Sequence, residues 1–198
     1  MKKILMTLAV VLAFSVNAIA ATINFDSTAA GTYTSLSFSD LTITYTGGSG
    51  SFEVTGANPG PPISGNALLS YYTNPGAAPF LVTFNNNTNV NAFSIGVGDY
   101  NQDVDNTYLQ AFDAAWNLIG SDYYQNPASQ YGGDFLSVAT ASAIKYVKFW
   151  DADPYPGAVY WDQLTYENNA SSVPEPSTML LLGGGLAGLA FWRRKQRK

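Results

Sequence analysis

The 198-residue sequence contains no cysteine and no histidine. Without a thiol there is no disulfide framework, no thiolate nucleophile and no cysteine-bound zinc; without an imidazole there is no Ser-His-Asp triad, no histidine acid–base chemistry and no ordinary zinc centre. Among common catalytic designs, paired carboxylates remain open. Basic residues are also scarce away from the ends. Seven of the nine lie at the two termini, which leaves Lys145 and Lys148 against fourteen acidic residues, all between Asp26 and Glu175, and a net charge of −12 for that part of the chain. This balance argues against binding nucleic acid or anionic membrane surfaces and favours solubility, calcium binding, or both. No window between the ends carries a helical apolar stripe of useful length.

What is present at the start is an export signal. Lys2 and Lys3 precede an apolar run over 4–16, and Ala18 and Ala20 supply the small residues that a signal peptidase accepts. A signal peptide over 1–20 is expected, with Ala21 as the new N-terminus; a cut one residue later reads equally well. The chain is therefore expected to be exported.

The other end, residues 173–198, reads VPEPSTMLLLGGGLAGLAFWRRKQRK. Pro174 and Pro176 flank Glu175 and impose an extended segment that no helix passes through. Val173, Ser177 and Thr178 complete the box. Residues 179–192 hold no charge, but as a helix these fourteen residues reach only ~21 Å against a hydrocarbon core of roughly 30 Å. Ser177 and Thr178 can extend the span, Trp192 can sit at the interface, and the basic side chains beyond it can snorkel outward. Arg193, Arg194, Lys195, Arg197 and Lys198 form the cytoplasmic end, which places the body of the protein outside.

This tail resembles the PEP-CTERM sorting segment of Gram-negative bacteria, with its V-P-E-P-S-T box, short Gly/Leu helix and Arg-rich end; the same segment is also described as the C-terminal domain of ice-binding proteins. The resemblance implies an exosortase as partner. That membrane transpeptidase would cut near the box and pass the exported body to the cell surface or extracellular polymer. An ordinary tail anchor has no reason to carry the whole box before so short a span.

Between the ends lies enough chain for one domain, 21–167, followed by a small polar linker over 168–172. Short β-branched and aromatic segments alternate with Gly, Asn, Pro, Asp and Ser clusters, which is an all-β signature. Strands are expected at 22–25, 41–45, 51–55, 67–72, 80–84, 91–97, 107–112, 117–121, 135–139, 143–150 and 158–166, with 47–50, 58–65 and 85–87 as loops. So many short strands favour a two-sheet β-sandwich, a jelly roll first. The stretch 108–121 reads as a hairpin turning over 113–117, because Asp starts turns and Asn tolerates positive φ. Together with AIKYVKFW and VYWDQLTYE, this hairpin resembles the closing strands of galactose-binding-like jelly rolls. No glycan-binding residue transfers by motif.

Candidate chemistry falls in three places. Asp99, Asn101, Asp103 and Asp105 place oxygens at alternate positions, as a Ca²⁺ loop does. An EF-hand is rejected, since Val104 stands where Gly belongs and Gln110 where the bidentate carboxylate belongs; a solvated acidic loop is the plainer reading. Asp26 and Asp162 occupy the first and last strands, where the jelly-roll resemblance implies a structural calcium, although each can equally accept backbone hydrogen bonds. The loop Trp150-Asp151-Ala152-Asp153-Pro154-Tyr155-Pro156-Gly157 combines flat apolar faces with acceptors, as carbohydrate sites do. Tyr71, Tyr72, Tyr123, Tyr124, Tyr131, Tyr160 and Trp161 add to that pool, and Trp116 sits in a turn, although most such residues serve strand packing. Asp151 and Asp153 as a glycosidase pair, and ice binding without a regular Thr array, are weaker alternatives. The expectation is a non-enzymatic, exported structural or adhesive protein of the cell surface or biofilm matrix, with polysaccharide binding as the main alternative.

Overall fold

The computed structural model describes residues 19–47, 50–71, 79–86, 88–100, 104–127, 131–152 and 158–168, and residue 193. The chain divides into a unit Ala18–Ala170 and a second unit formed by Met1–Asn17 and Ser171–Lys198; apart from residue 193, the second lies outside the described residues. The sandwich is built from β1 (Ile19–Ile23), β2 (Gly31–Tyr33), β3 (Ser35–Ser37), β4 (Leu41–Tyr45), β5 (Phe52–Gly60), β6 (Ile63–Tyr71), β7 (Phe80–Phe84), β8 (Val90–Asp99), β9 (Asp105–Phe112), β10 (Leu118–Asn126), β11 (Gly132–Ile144), β12 (Tyr146–Asp151) and β13 (Ala158–Asn168). A 3-10 turn, Phe25–Ser27, follows β1.

The strands form two sheets. One runs β11-β8-β13-β6-β5-β2, with β1 beside the second half of β13; the other runs β10-β9-β12-β7-β4-β3. All pairings are antiparallel. The expected all-β sandwich is present. Successive side chains on a strand point to opposite faces, so each strand commits alternate residues to the space between the sheets. Leu41 and Ile43 face inward on β4, while Thr42 and Thr44 face out. β9 buries Leu109 and Ala111, and β12 buries Val147 and Phe149.

Aromatic rings lock the sheets together. Phe80 of β7 stacks on its cross-strand neighbour Phe149 of β12 with centroids 5.0 Å apart. From the opposite sheet, Trp161 meets Phe149 at 4.8 Å and Phe52 meets Phe80 at 5.4 Å. Trp161, Phe80 and Phe149 are fully buried, and each contributes roughly 1.5–3 kcal/mol or more through apolar burial.

Several boundaries differ from expectation. The first strand begins at Ile19, and Phe25 enters the core from the 3-10 turn instead of from a strand. Residues 58–65 are not an open loop: β5 and β6 continue through them as a hairpin, with Gly60 opposite Ile63 and the prolines Pro61 and Pro62 at the turn, where no ladder N–H is required. Short β2 and β3 escape sequence reading because Gly, Ser and Thr dominate that region. Ile144 closes β11, so the expected strand 143–150 is split between β11 and β12. Asn168, the first residue of the expected linker, is still paired in β13, opposite Ile19 and Val90.

Tyr166 of β13 donates its hydroxyl to Asp40 Oδ2 at 2.9 Å. Burial first, then this bond and the Asp40 charge, push its hydroxyl up to about 12. An unfolded tyrosine ionises near about 10, so above that pH the unfolded state releases the proton more readily than the folded state. Stability is therefore expected to fall as pH rises from about 10 through about 12. Denaturant titrations of wild type and Tyr166→Phe across that range check it; the variant should show a shallower decline.

Candidate functional site

The outward face of the six-stranded sheet is where the aromatic residues left over from the core collect. Inward Leu109 and Ala111 send Tyr108, Gln110 and Phe112 of β9 outward; inward Val147 and Phe149 send Tyr146, Lys148 and Trp150 of β12 outward. The register sets Tyr108 opposite Trp150 and Phe112 opposite Tyr146. Tyr108 stacks on Trp150 at 5.3 Å and 16°, and Tyr123 of β10 adds a third ring 4.9 Å from Tyr108. Tyr123 donates its hydroxyl to Asn106 Oδ1 at 2.6 Å, and the Gln125 amide donates to the same oxygen at 2.9 Å. Toward β3 the face changes character, with Thr83, Thr42 and Ser37 in one row across the strands.

A second aromatic cluster is made by the hairpin turn between β9 and β10. Asp113 Oδ1 accepts the N–H groups of Ala115 and Asn117, and Oδ2 accepts the Asn117 side-chain amide at 2.9 Å. The Asn117 side-chain bond, with help from the backbone donors, holds the Asp113 carboxyl below the usual range. The turn puts Trp116 at φ 63, a left-handed conformation that lays its indole back over the sheet. There it stacks on Tyr146 with centroids 3.9 Å apart and planes 8° apart, and it also contacts Phe112. The sequence-expected turn over 113–117 is present, and the large apolar residue at its tip is a sheet-facing platform.

Trp150 lies on this face, but Asp151, its sequence neighbour, points between the sheets and is buried, so the pleat separates the two. Asp153 and Tyr155 lie outside the described residues. Tyr123 is exposed on the face, whereas Trp161 is core and Tyr160 packs against Tyr100. Tyr108, Phe112 and Tyr146 were not singled out from sequence. Their signal was the period of two in Tyr108-x-Gln110-x-Phe112 and Tyr146-x-Lys148-x-Trp150.

Asp99 and Asp105 are buried at the facing ends of β8 and β9, in different sheets; Asn101 and Asp103 lie outside the described residues. Asp26 and Asp162 are brought together by β6. Ser64 N–H points at Asp162 Oδ2 and Asn66 N–H at Asp26 Oδ1, 3.4 and 2.9 Å away. Between them Gly65, at φ +74, leaves the space of a side chain to the Asp26 carboxylate. Gln163 N–H also donates to Asp162 Oδ1 at 2.7 Å. Burial first holds Asp162 above the usual carboxylate range; backbone donors pull it down and the Asp26 charge adds to the rise. No group of three His, Cys, Asp or Glu side chains suited to a metal occurs among the described residues.

Ala20 and Ala21 stand in β1, in register with Glu167 and Tyr166, and Ala18 lies outside the described residues. The box Val173–Thr178, the expected helix 179–192 and the basic residues after Arg193 also lie outside them; among the described residues no helix is long and apolar enough to cross a membrane.

Residues 172–195 match the PEP-CTERM protein-sorting motif. The motif implies an exported protein processed at the membrane by an exosortase. No curated protein matches the chain. Among solved structures, the sandwich is similar to the carbohydrate-binding module TmCBM27, described as recognising mannan, at 14% identity and a TM-score of 0.50 over 77% of this chain and 98% of that one. It is also similar to the C-terminal family 22 carbohydrate-binding module of Clostridium thermocellum Xyn10B (17% identity, TM-score 0.41, 66% and 88% covered). A further match is the enzymatically active domain of bacteriophage CBA120 tailspike protein 4 (16%, 0.43), where the chain spans 65% of its own length and 19% of the tailspike chain. At these identities the likenesses bear on the fold alone.

Proposed function

We propose that this is an exported, non-enzymatic carbohydrate-binding protein that a signal peptidase and an exosortase deliver to the cell surface or extracellular matrix, where its sandwich adheres to polysaccharide. The single observation that carries the reading is the outward face of the six-stranded sheet. There Tyr108 with Trp150, and Trp116 with Tyr146, present two stacked aromatic platforms to solvent beside a row of hydroxyl side chains. Sugar rings bring an apolar face and a rim of hydroxyls, and such platforms meet both. The fold is one that serves mannan recognition in TmCBM27, a likeness of fold only. An adhesive matrix role follows from joining this face to the sorting tail.

The reading also gives the Asp26–Asp162 pair a structural part. Calcium held by these two carboxylates, with carbonyl and water oxygens completing its shell, would relieve their mutual repulsion and tie the 3-10 turn, β6 and β13 together. The melting temperature is expected to be higher in excess calcium than in excess chelator, and Asp162→Asn should remove the difference. Equal melting temperatures would remove calcium from the account.

For the binding face, Trp150→Ala and Tyr108→Ala are expected to abolish retardation of the chain in affinity gels cast with galactomannan, xylan or the exopolysaccharide of the producing cells. Circular dichroism should show the sandwich still folded. Undiminished retardation of folded variants would rule out this face.

A further inference from the structure

On the proposed binding face stands one cation. The described sandwich has only Lys145 and Lys148 as basic residues, and Lys145 is tied down, its Nζ donating to Phe84 O and Asn86 Oδ1. Lys148 faces solvent from the middle of β12. Its Nζ lies 5.4 Å from the Phe112 ring centroid and 5.2 Å from that of Trp116, with no carboxylate or hydrogen-bond acceptor engaging it among the described residues. The outward positions of the strands around it carry hydroxyls, amides, aromatic rings and, directly opposite it on β7, the aliphatic Leu81, and no Asp or Glu. Asp113, in the adjoining turn, has both carboxylate oxygens taken by Ala115 and Asn117. In a protein with fourteen acidic residues, an ammonium on a face free of carboxylates is a marked asymmetry.

The position of Lys148 narrows the chemistry. Tyr146 and Trp150 flank it at two residues on either side, which puts the two aromatic platforms roughly 13 Å apart along β12, with Lys148 between them in sequence and its ammonium leaning to the Phe112 and Trp116 side. Gln110 is its cross-strand partner on β9. We infer that the face selects a heteropolysaccharide in which a single carboxylate-bearing sugar, a uronate, is flanked by neutral sugars: the neutral rings stack on the platforms and the carboxylate takes the Lys148 ammonium and the Gln110 amide. A charged nitrogen donating to a carboxylate gives a stronger bond than it gives to a hydroxyl. The net charge of −12 between Asp26 and Glu175 works against a uniformly charged polyuronate, whose many carboxylates meet one cation and an acidic body. A sparse uronate avoids that repulsion, because charges beyond about 8 Å are largely screened at physiological ionic strength.

This inference rests on the carbohydrate-binding reading, and one comparison separates the two. Gellan carries glucuronate between neutral sugars, and carbodiimide activation followed by borohydride reduction turns that glucuronate into glucose while keeping the rest of the chain. Affinity of the full chain is measured for gellan, reduced gellan and polygalacturonate, with wild type, Lys148→Met and Trp150→Ala. Wild type is expected to bind gellan about tenfold tighter than reduced gellan, a difference of the size one charge-assisted contact supplies, and tighter than polygalacturonate. Lys148→Met, which keeps the length of the stem, should bind both gellan forms alike, and Trp150→Ala should lose both. Equal wild-type affinity for the two gellan forms, or a preference that survives in Lys148→Met, overturns the inference while leaving carbohydrate binding intact. Failure of wild type to bind any of these or the neutral polysaccharides overturns both.

Discussion

Phe149 is the residue on which the rest of the arrangement depends. It stacks on Phe80 within its own sheet and meets Trp161 across the gap, so the centre of β12 cannot turn over without opening the core. A pleated strand that fixes one residue inward fixes its neighbours outward. Tyr146, Lys148 and Trp150 are therefore presented to solvent by the same packing that holds the sheets together, and β9 follows through its register. The aromatic face is the reverse side of the core. A one-residue slip of β12 would bury an ammonium and expose Phe149, so the register of β12 and the composition of this face are fixed together.

The second constraint is at the strand pair where the domain begins and ends. β1 and β13 run antiparallel with Ile19 opposite Asn168, so the first and last strands of the sandwich lie side by side. One β6 segment, Ser64 to Asn66, hydrogen-bonds both Asp26 from the entry and Asp162 from the exit strand. The acidic pair thus closes the domain at the seam between its first and last elements. The Gly65 backbone conformation is what admits it.

Much of this was legible in the sequence. Alternation such as Leu41-Thr-Ile43-Thr-Tyr45 is a direct record of one buried face, and the Asp113 to Asn117 turn follows from the capacity of Asp to bond backbone N–H groups ahead of it. The tail was the plainest signal, since its box is a contiguous motif. The aromatic face was harder to see because it is assembled from three strands: Trp150 stood out, but its partners Tyr108 and Tyr123 are near it only through cross-strand register. Grouping Trp150 with Asp151 followed sequence adjacency, which in a strand means opposite faces. The hairpin through Pro61 and Pro62 was hidden because prolines usually mark open loops, and here they occupy a turn whose missing N–H groups cost nothing.

The central claim is that the solvent face of the six-stranded sheet is the ligand surface, and the tryptophans report on it directly. The chain has four, of which Trp116 and Trp150 lie on this face and Trp161 in the core, with Trp192 in the tail. Nitrogen-15 labelling of the indoles, with single Trp→Phe variants for assignment, follows each one during titration with a polysaccharide that retards the protein. The account predicts that the Trp116 and Trp150 resonances shift together and saturate at one concentration while Trp161 stays in place. Saturable binding that leaves both face tryptophans unmoved would contradict it.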